Sequence, residues 1–321
     1  MERDVIVIDG GFATQLTRHV EDMVDGDPLW SSRFNCTNPE IVKLVHGHFL
    51  DAGSEIIRTN TYQASIEGYM SHLGLTQEEA ENLIRKTVNL TLESRADFQG
   101  KSPKCRDIKV FGSIGPYGAY LADGSEYSGN YIKTISHDVI REWHKRRITI
   151  VVEAGVDGLA VETIPSAIEG EIIVDLLQKD FPGVKFWLSF QCRNGSETAA
   201  GEKYQDAVRK IWKKTENILA IGVNCLHPDY VASLFAGLND PEGDKKTWIP
   251  LIAYPNSGET YDVINKKWIS DRSLRPLETY IEEWIRLGVR YIGGCCRNYA
   301  ENISRLRETL DTLSLSHNNN K

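Results

Sequence analysis

Three cysteines at the ends of two apolar runs carry the strongest chemical signal in the sequence. Ile221-Gly222-Val223-Asn224-Cys225 ends in one thiol, and Tyr291-Ile292-Gly293-Gly294-Cys295-Cys296-Arg297 brings two more. Zinc takes cysteine sulfur at about 2.3 Å in a tetrahedral shell, and three protein ligands leave the fourth position for substrate or water. Cys225, Cys295 and Cys296 are therefore candidate ligands of a catalytic Zn2+. Two plainer readings stand beside this one: small buried hydrophobes, or a strained disulfide between the vicinal pair. No C-x-x-C knuckle is present to decide among them.

Such a centre implies a particular chemistry. Three thiolates make the dication a weaker Lewis acid than three histidines would, so it suits a fourth thiolate better than hydroxide. A free thiol has a pKa of about 8.5, and coordination removes its proton outright. A substrate sulfur held there attacks an electrophilic carbon without a general base, which describes a thiol alkyltransferase.

The elements that must position these thiols alternate strictly. Apolar, β-branched runs at Val5–Ile8, Ile56–Thr61, Lys109–Gly115, Gly158–Ile164, Lys185–Gln191, Ile218–Asn224, Ile249–Tyr254 and Val289–Ile292 read as strands. Helical spacing follows at Ile41–Ala52, Gln77–Phe98, Ser136–Ala154, Ser166–Lys179, Tyr204–Lys214, Asp229–Leu238, Leu277–Leu287 and Ala300–Leu313. Alternating strands and helices argue for a parallel sheet. Eight units without a linker predict a single-domain α/β fold, a (β/α)8 TIM barrel over residues 1–313, with a disordered tail at 314–321. No G-x-G-x-x-G opens a helix after the first strand, against a dinucleotide-binding fold.

Barrel active sites collect at the C-terminal ends of the strands, which is where both cysteine segments fall. Asp9 and Glu162 lie at the same mouth and are suited to hold a substrate ammonium; a capping or polar-core role is the alternative for each. Backbone N–H groups around Gly10 and Gly11 are candidates for a substrate carboxylate. Tyrosines and acids mix in Gly115–Tyr120 and Asp123–Tyr127, a composition that attracts a cationic methyl donor or packs as a solvated loop. His46 and His48, on an outer helix, read as surface or packing residues. Cys36, Cys105 and Cys192 fall outside the trio and read as incidental.

Composition narrows the partners. Net charge is −8, from 45 acidic and 37 basic residues, so no broad attraction to nucleic acid is expected. No run approaches the roughly 20 apolar residues that span a bilayer, and Val5–Ile8 is too short for a signal-peptide core. Six cysteines in 321 residues are no disulfide framework, and a reducing cytoplasmic location is expected. The glycosylation-type triplets at Asn35, Asn89, Asn194 and Asn302 then carry no meaning. Without a long C-terminal arm, a monomer is expected.

The chain resembles the homocysteine S-methyltransferase family. The likeness rests on Asp9-Gly-Gly-Phe-Ala-Thr14, Leu29-Trp-Ser31, Thr59-Asn-Thr-Tyr-Gln63, Ser113-Ile-Gly-Pro-Tyr-Gly-Ala119 and Leu121-Ala-Asp-Gly-Ser-Glu-Tyr127. It continues through Glu162-Thr-Ile-Pro165, Gly222-Val-Asn-Cys225, Tyr254-Pro-Asn-Ser-Gly-Glu259 and Ile292-Gly-Gly-Cys-Cys296. The resemblance implies a (β/α)8 barrel, one zinc on Cys225, Cys295 and Cys296, and methyl transfer to homocysteine to give methionine. It places Asp9 and Glu162 in the homocysteine pocket, and Asn224, beside Cys225, reads as a residue of that pocket or a support for the ligand. Relatives using betaine place aromatic side chains where this chain has Gln63 and Thr163. The resemblance therefore favours a sulfonium donor, S-methylmethionine, with S-adenosylmethionine as a poorer one. Betaine, or a selenocysteine-type acceptor, is the alternative within the class, and a non-catalytic zinc or redox sensor is the alternative outside it. The cobalamin modules of large methionine synthases are absent.

Overall fold

The computed structural model describes residues 5–21, 24–101, 106–262, 267–269 and 274–319. Eight parallel strands form one sheet: β1 (Ile6–Val7), β2 (Ile56–Arg58), β3 (Lys109–Ile114), β4 (Gly158–Ile164), β5 (Phe186–Phe190), β6 (Ile218–Asn224), β7 (Leu251–Tyr254) and β10 (Val289–Ile292). Two short strands, β8 (Thr260–Asp262) and β9 (Lys267–Ile269), pair antiparallel outside it. The sheet order β1-β10-β7-β6-β5-β4-β3-β2 closes where Ile8 bridges Ile56, with Asp9 N–H donating to the Ile56 carbonyl at 3.1 Å. The expected barrel is thus present.

Side chains alternate across the pleat, and two apolar layers result. Val7, Ile57, Val110 and Val161 face the helices in the main core. Ile8, Ile56, Phe111, Ala160, Trp187, Ala220, Ile252 and Tyr254 fill the barrel itself. Phe111 and Trp187 stack at 4.8 Å, plugging the interior beneath the mouth.

Several helices start where the sequence offers a cap. Ser65, Ser136 and Ser166 accept from the N–H groups of Gly68, Val139 and Glu169 through their hydroxyls. The last helix corrects the sequence reading: Ala300–Asn319 continues through most of the tail expected to be disordered. No glycine or proline follows Leu313 to stop it, and the Ser314 hydroxyl bonds back to the Leu310 carbonyl at 2.8 Å. Residues 320–321 of that expected tail lie outside the described residues.

Candidate active site

Cys225 follows directly on β6, and Cys295 and Cys296 follow β10 after two glycines. In the sheet these strands are separated only by β7. The three sulfurs lie within 4.8 Å of one another, the one such cluster of potential metal ligands among the described residues. Tetrahedral zinc with sulfurs at about 2.3 Å would set them about 3.8 Å apart, and Cys225 Sγ lies 3.7 Å from Cys296 Sγ. The donor set and its spacing fit a thiolate-binding cation. The three thiols contend for protons. Cys295 is held well below the usual thiol range because Cys225 and Cys296 donate to its sulfur. Cys225 is pushed up first by Cys295, and Cys296 first by Cys225. A bound cation relieves that contest by taking all three as thiolates.

The backbone holds the cysteines closely. Cys225 has φ 55°, a left-handed conformation rare outside glycine, of the kind that persists where surroundings over-determine it. Cys295 N–H donates to the Pro255 carbonyl at 2.8 Å, and the Cys296 carbonyl accepts from Ser257 at 3.1 Å. Arg297, at φ 65°, donates its N–H to Thr14 Oγ1 and its side chain to Glu259.

Asp9 and Glu162 come together at this mouth through a residue that sequence reasoning missed. Arg58, only 8 % exposed, donates from Nε to Asp9 Oδ1 at 2.6 Å and from Nη1 to Glu162 Oε2 at 2.7 Å. Its Nη2 donates to the carbonyls of Gly10 and Gly294, and its own backbone N–H to Asp9 Oδ2. The guanidinium also lies 4.7 Å above the Tyr254 ring. Ser113 hydroxyl donates to the other Glu162 oxygen. Burial pushes the Asp9 carboxyl up to about 6, against the pull of Arg58. Two carboxylates and one guanidinium leave the cluster one negative charge when all are ionised. The available signal was an arginine in the apolar run Ile56-Ile57-Arg58, since a buried arginine needs partners.

The glycines act differently from expectation. Gly11 N–H, a candidate for a substrate carboxylate, donates instead to the Asn298 carbonyl at 2.9 Å. A Cβ on Gly11 would lie 2.4 Å from the Cys295 carbonyl oxygen, and one on Gly10 2.6 Å from that of Asn298. Both glycines let the end of β1 press against the cysteine loop. Asn224, expected in the substrate pocket, is fully buried. Its Oδ1 accepts from Thr163 N–H and Ser189, and its Nδ2 donates to Thr163 Oγ1. It fastens β6 to Thr163, which sits at φ 60° beside Glu162.

Tyrosines line the opposite wall. Tyr127 exposes 49 % of its surface, yet its hydroxyl reaches 3.9 Å from Cys225 Sγ. Tyr62 meets Trp30 edge-on at 5.9 Å, and Arg147 binds the carbonyls of Thr61, Tyr62 and Gly115 from behind. Cys225 first, then burial, pushes the Tyr127 hydroxyl up; for Tyr62, burial leads, followed by Glu126 and Cys225. Glu126 is itself pushed up to about 7, mainly by burial and further by Asp123. Gln63 is turned away, donating to the Pro28 carbonyl.

The remaining candidates lie apart. His46 is buried against Thr91 and pushed down to about 3 by burial, so it packs as a neutral ring. His48 meets Gln15 at 3.2 Å. Cys36 is exposed and Cys192 buried, neither of them in the trio; Cys105 lies outside the described residues.

A closed (β/α)8 barrel with three thiols converging at its C-terminal mouth has the architecture of an enzyme, and the cluster is suited to hold a metal through thiolates. The homocysteine S-methyltransferase family model matches residues 6–310. The chain is 43% identical over 322 residues to the betaine-homocysteine S-methyltransferase of Drosophila melanogaster, covering 98% of this chain and 96% of that one. It is 39% identical over 318 residues to homocysteine S-methyltransferase 3 of Arabidopsis thaliana, covering 95% and 89%. The metallated crystal form of the Escherichia coli homocysteine methyltransferase MmuM superposes with a TM-score of 0.82, at 31% identity over 96% of each chain. The chain belongs to the homocysteine S-methyltransferase family. No helix among the described residues is long and apolar enough to cross a membrane.

Proposed function

We propose that the protein transfers a methyl group from a sulfonium donor, S-methylmethionine or less readily S-adenosylmethionine, to the thiol of homocysteine. The observation that carries this reading is the trio of sulfurs, within 4.8 Å of one another, beside a buried cluster of one net negative charge. Cys225, Cys295 and Cys296 would hold zinc, which when bound supplies the positive charge that keeps an acceptor sulfur ionised at neutral pH.

The chain's own residues do the rest. Asp9 and Glu162, fixed by Arg58, receive the homocysteine ammonium, whose charge balances the cluster. Asn224 and the Gly10-Gly11 turn hold the cysteine-bearing ends in place. Tyr62 and Tyr127 present their rings to the positive donor. The acceptor thiol gives its proton to solvent, and its electron pair forms the new bond to the methyl carbon. The donor's carbon–sulfur bond breaks with the pair staying on sulfur, so the sulfonium leaves as a neutral thioether.

The name of the Drosophila relative favours a second reading, in which betaine is the donor. Methionine formation by the zinc-loaded protein from homocysteine and each of S-methylmethionine, S-adenosylmethionine and betaine, with zinc counted per chain, separates the two. Turnover with a sulfonium and none with betaine is expected. Turnover with betaine alone would reverse the assignment, and no methionine from any donor would remove it.

A further inference from the structure

Glu126 sits in the short turn Ser125–Tyr127 that delivers Tyr127 to the thiols. Its Oε2 is buried without a hydrogen-bond partner. The fully buried carboxylates nearby are satisfied. Asp9 and Glu162 share Arg58, and Glu169 accepts from His144 and the Tyr117 N–H. A carboxylate oxygen buried without a partner is costly, and one kept beside tyrosine rings at an active-site mouth calls for a positive ligand.

We propose that Glu126 is the counter-ion of the methyl donor: with the rings of Tyr62 and Tyr127 it receives the positive charge of an onium centre and so selects cationic donors. The inference rests on the methyl-transfer reading above and assigns a residue to the donor side of the site. Sulfonium and quaternary ammonium donors share the chemistry recognised. Both carry a positive centre that becomes neutral once the methyl group leaves with the bonding pair retained by sulfur or nitrogen. Glu126 therefore attracts the donor and not the spent product.

That charge loss gives the role a kinetic signature. In the transition state part of the donor's charge has already gone, so an anion beside it stabilises the bound donor more than the transition state. Removing the anion weakens donor binding without slowing the chemical step.

The test uses the zinc-loaded full chain and Glu126→Gln, varying S-methylmethionine, S-adenosylmethionine or betaine at saturating homocysteine. The donor KM is expected to rise about tenfold or more, as when one member of a desolvated charge pair is removed. The kcat should hold or rise, with zinc content and homocysteine KM unchanged. Glu126→Asp, which keeps the charge, should stay nearer the wild-type donor KM. It also serves as the test should Glu126→Gln fail to fold. A rise seen only with betaine supports the same role with a quaternary ammonium as the cation. An unchanged donor KM in an active enzyme overturns the counter-ion role alone, as does a kcat that falls in step with the rise in KM. A wild-type protein that makes no methionine from any of the three donors overturns the reading beneath it.

Discussion

Replacing Arg58 with Met tests whether the buried charge cluster holds the mouth together. Met keeps much of the side-chain volume, so the change removes charge and hydrogen bonds more than packing. Arg58 is the one cation bonded to Asp9 and Glu162 among the described residues, at 2.6 Å and 2.7 Å. Its loss strands two carboxylates that are 1 % and 4 % exposed. Stripping the partner from a buried ion pair costs about 3–5 kcal/mol, which lowers the Tm by several degrees in a chain of this size. Part of that cost returns when a stranded carboxyl takes a proton, so the deficit should be larger at pH 8 than near pH 5. Adding Asp9→Asn removes one stranded charge and restores the cluster to one net negative charge. The double variant should then be more stable than the sum of the single changes predicts, by about 1–3 kcal/mol, the coupling expected of residues in one network. Urea unfolding of the four proteins closes the cycle. Additivity within about 0.5 kcal/mol, or an Arg58→Met protein as stable as wild type, would refute the reasoning.

Three further outcomes are expected. Cys225→Ser, Cys295→Ser and Cys296→Ser should each lose zinc and abolish turnover while circular dichroism shows the barrel intact; activity retained in all three would exclude the metal site. Gly11→Ala should weaken zinc retention against a chelator, because its Cβ would lie 2.4 Å from the Cys295 carbonyl and must push the cysteine loop away; zinc retention equal to wild type would show that the loop yields freely. Asp9 stands at about 6 in the fold against 3.8 when unperturbed. Between those values the folded state holds a proton that the unfolded chain has lost, so this residue's contribution to stability declines as pH rises from about 4 to about 6. Wild type should lose stability relative to Asp9→Asn over that window, and a constant difference would mean that Asp9 is ionised throughout.

The barrel and its cluster of three cysteines were legible because both depend on local pattern. The apolar run Gly158–Ile164 buries every residue; Cys225 falls directly after another apolar run, and Cys295 and Cys296 follow a third after two glycines. What the sequence concealed depends on partners distant along the chain. Arg58 reaches Asp9, Glu162 and Gly294, the last 236 residues away, and no spacing rule joins those positions. Asn224 looked like a pocket residue because it adjoins Cys225. Strand alternation instead turns it toward Ser189 and Thr163, where its amide is spent. Gly10 and Gly11 read as N–H donors for a substrate carboxylate, whereas the fold presses them against the cysteine loop. The tail was misjudged on composition alone, since an Asn-rich end still continues a helix when nothing stops it.

The segment between the two cysteine-bearing strand ends accounts for the spacing of the sulfurs. β7 lies between β6 and β10 and supplies no cysteine. Yet the Tyr254 carbonyl accepts from Cys225 N–H, the Pro255 carbonyl from Cys295 N–H, and Ser257 N–H donates to the Cys296 carbonyl. Pro255 also accepts from the Asn298 side chain at 3.0 Å. Every cysteine of the trio is thus tied through its backbone to Tyr254–Ser257. Neighbouring strands lie about 4.8 Å apart, so two strands on either side of a third would ordinarily hold their ends too far apart for one metal. The left-handed turn at Cys225 and the two glycines before Cys295 bring both ends inward over β7. Backbone that offers no ligand therefore sets the sulfur spacing, and the strain at Cys225 follows from that convergence.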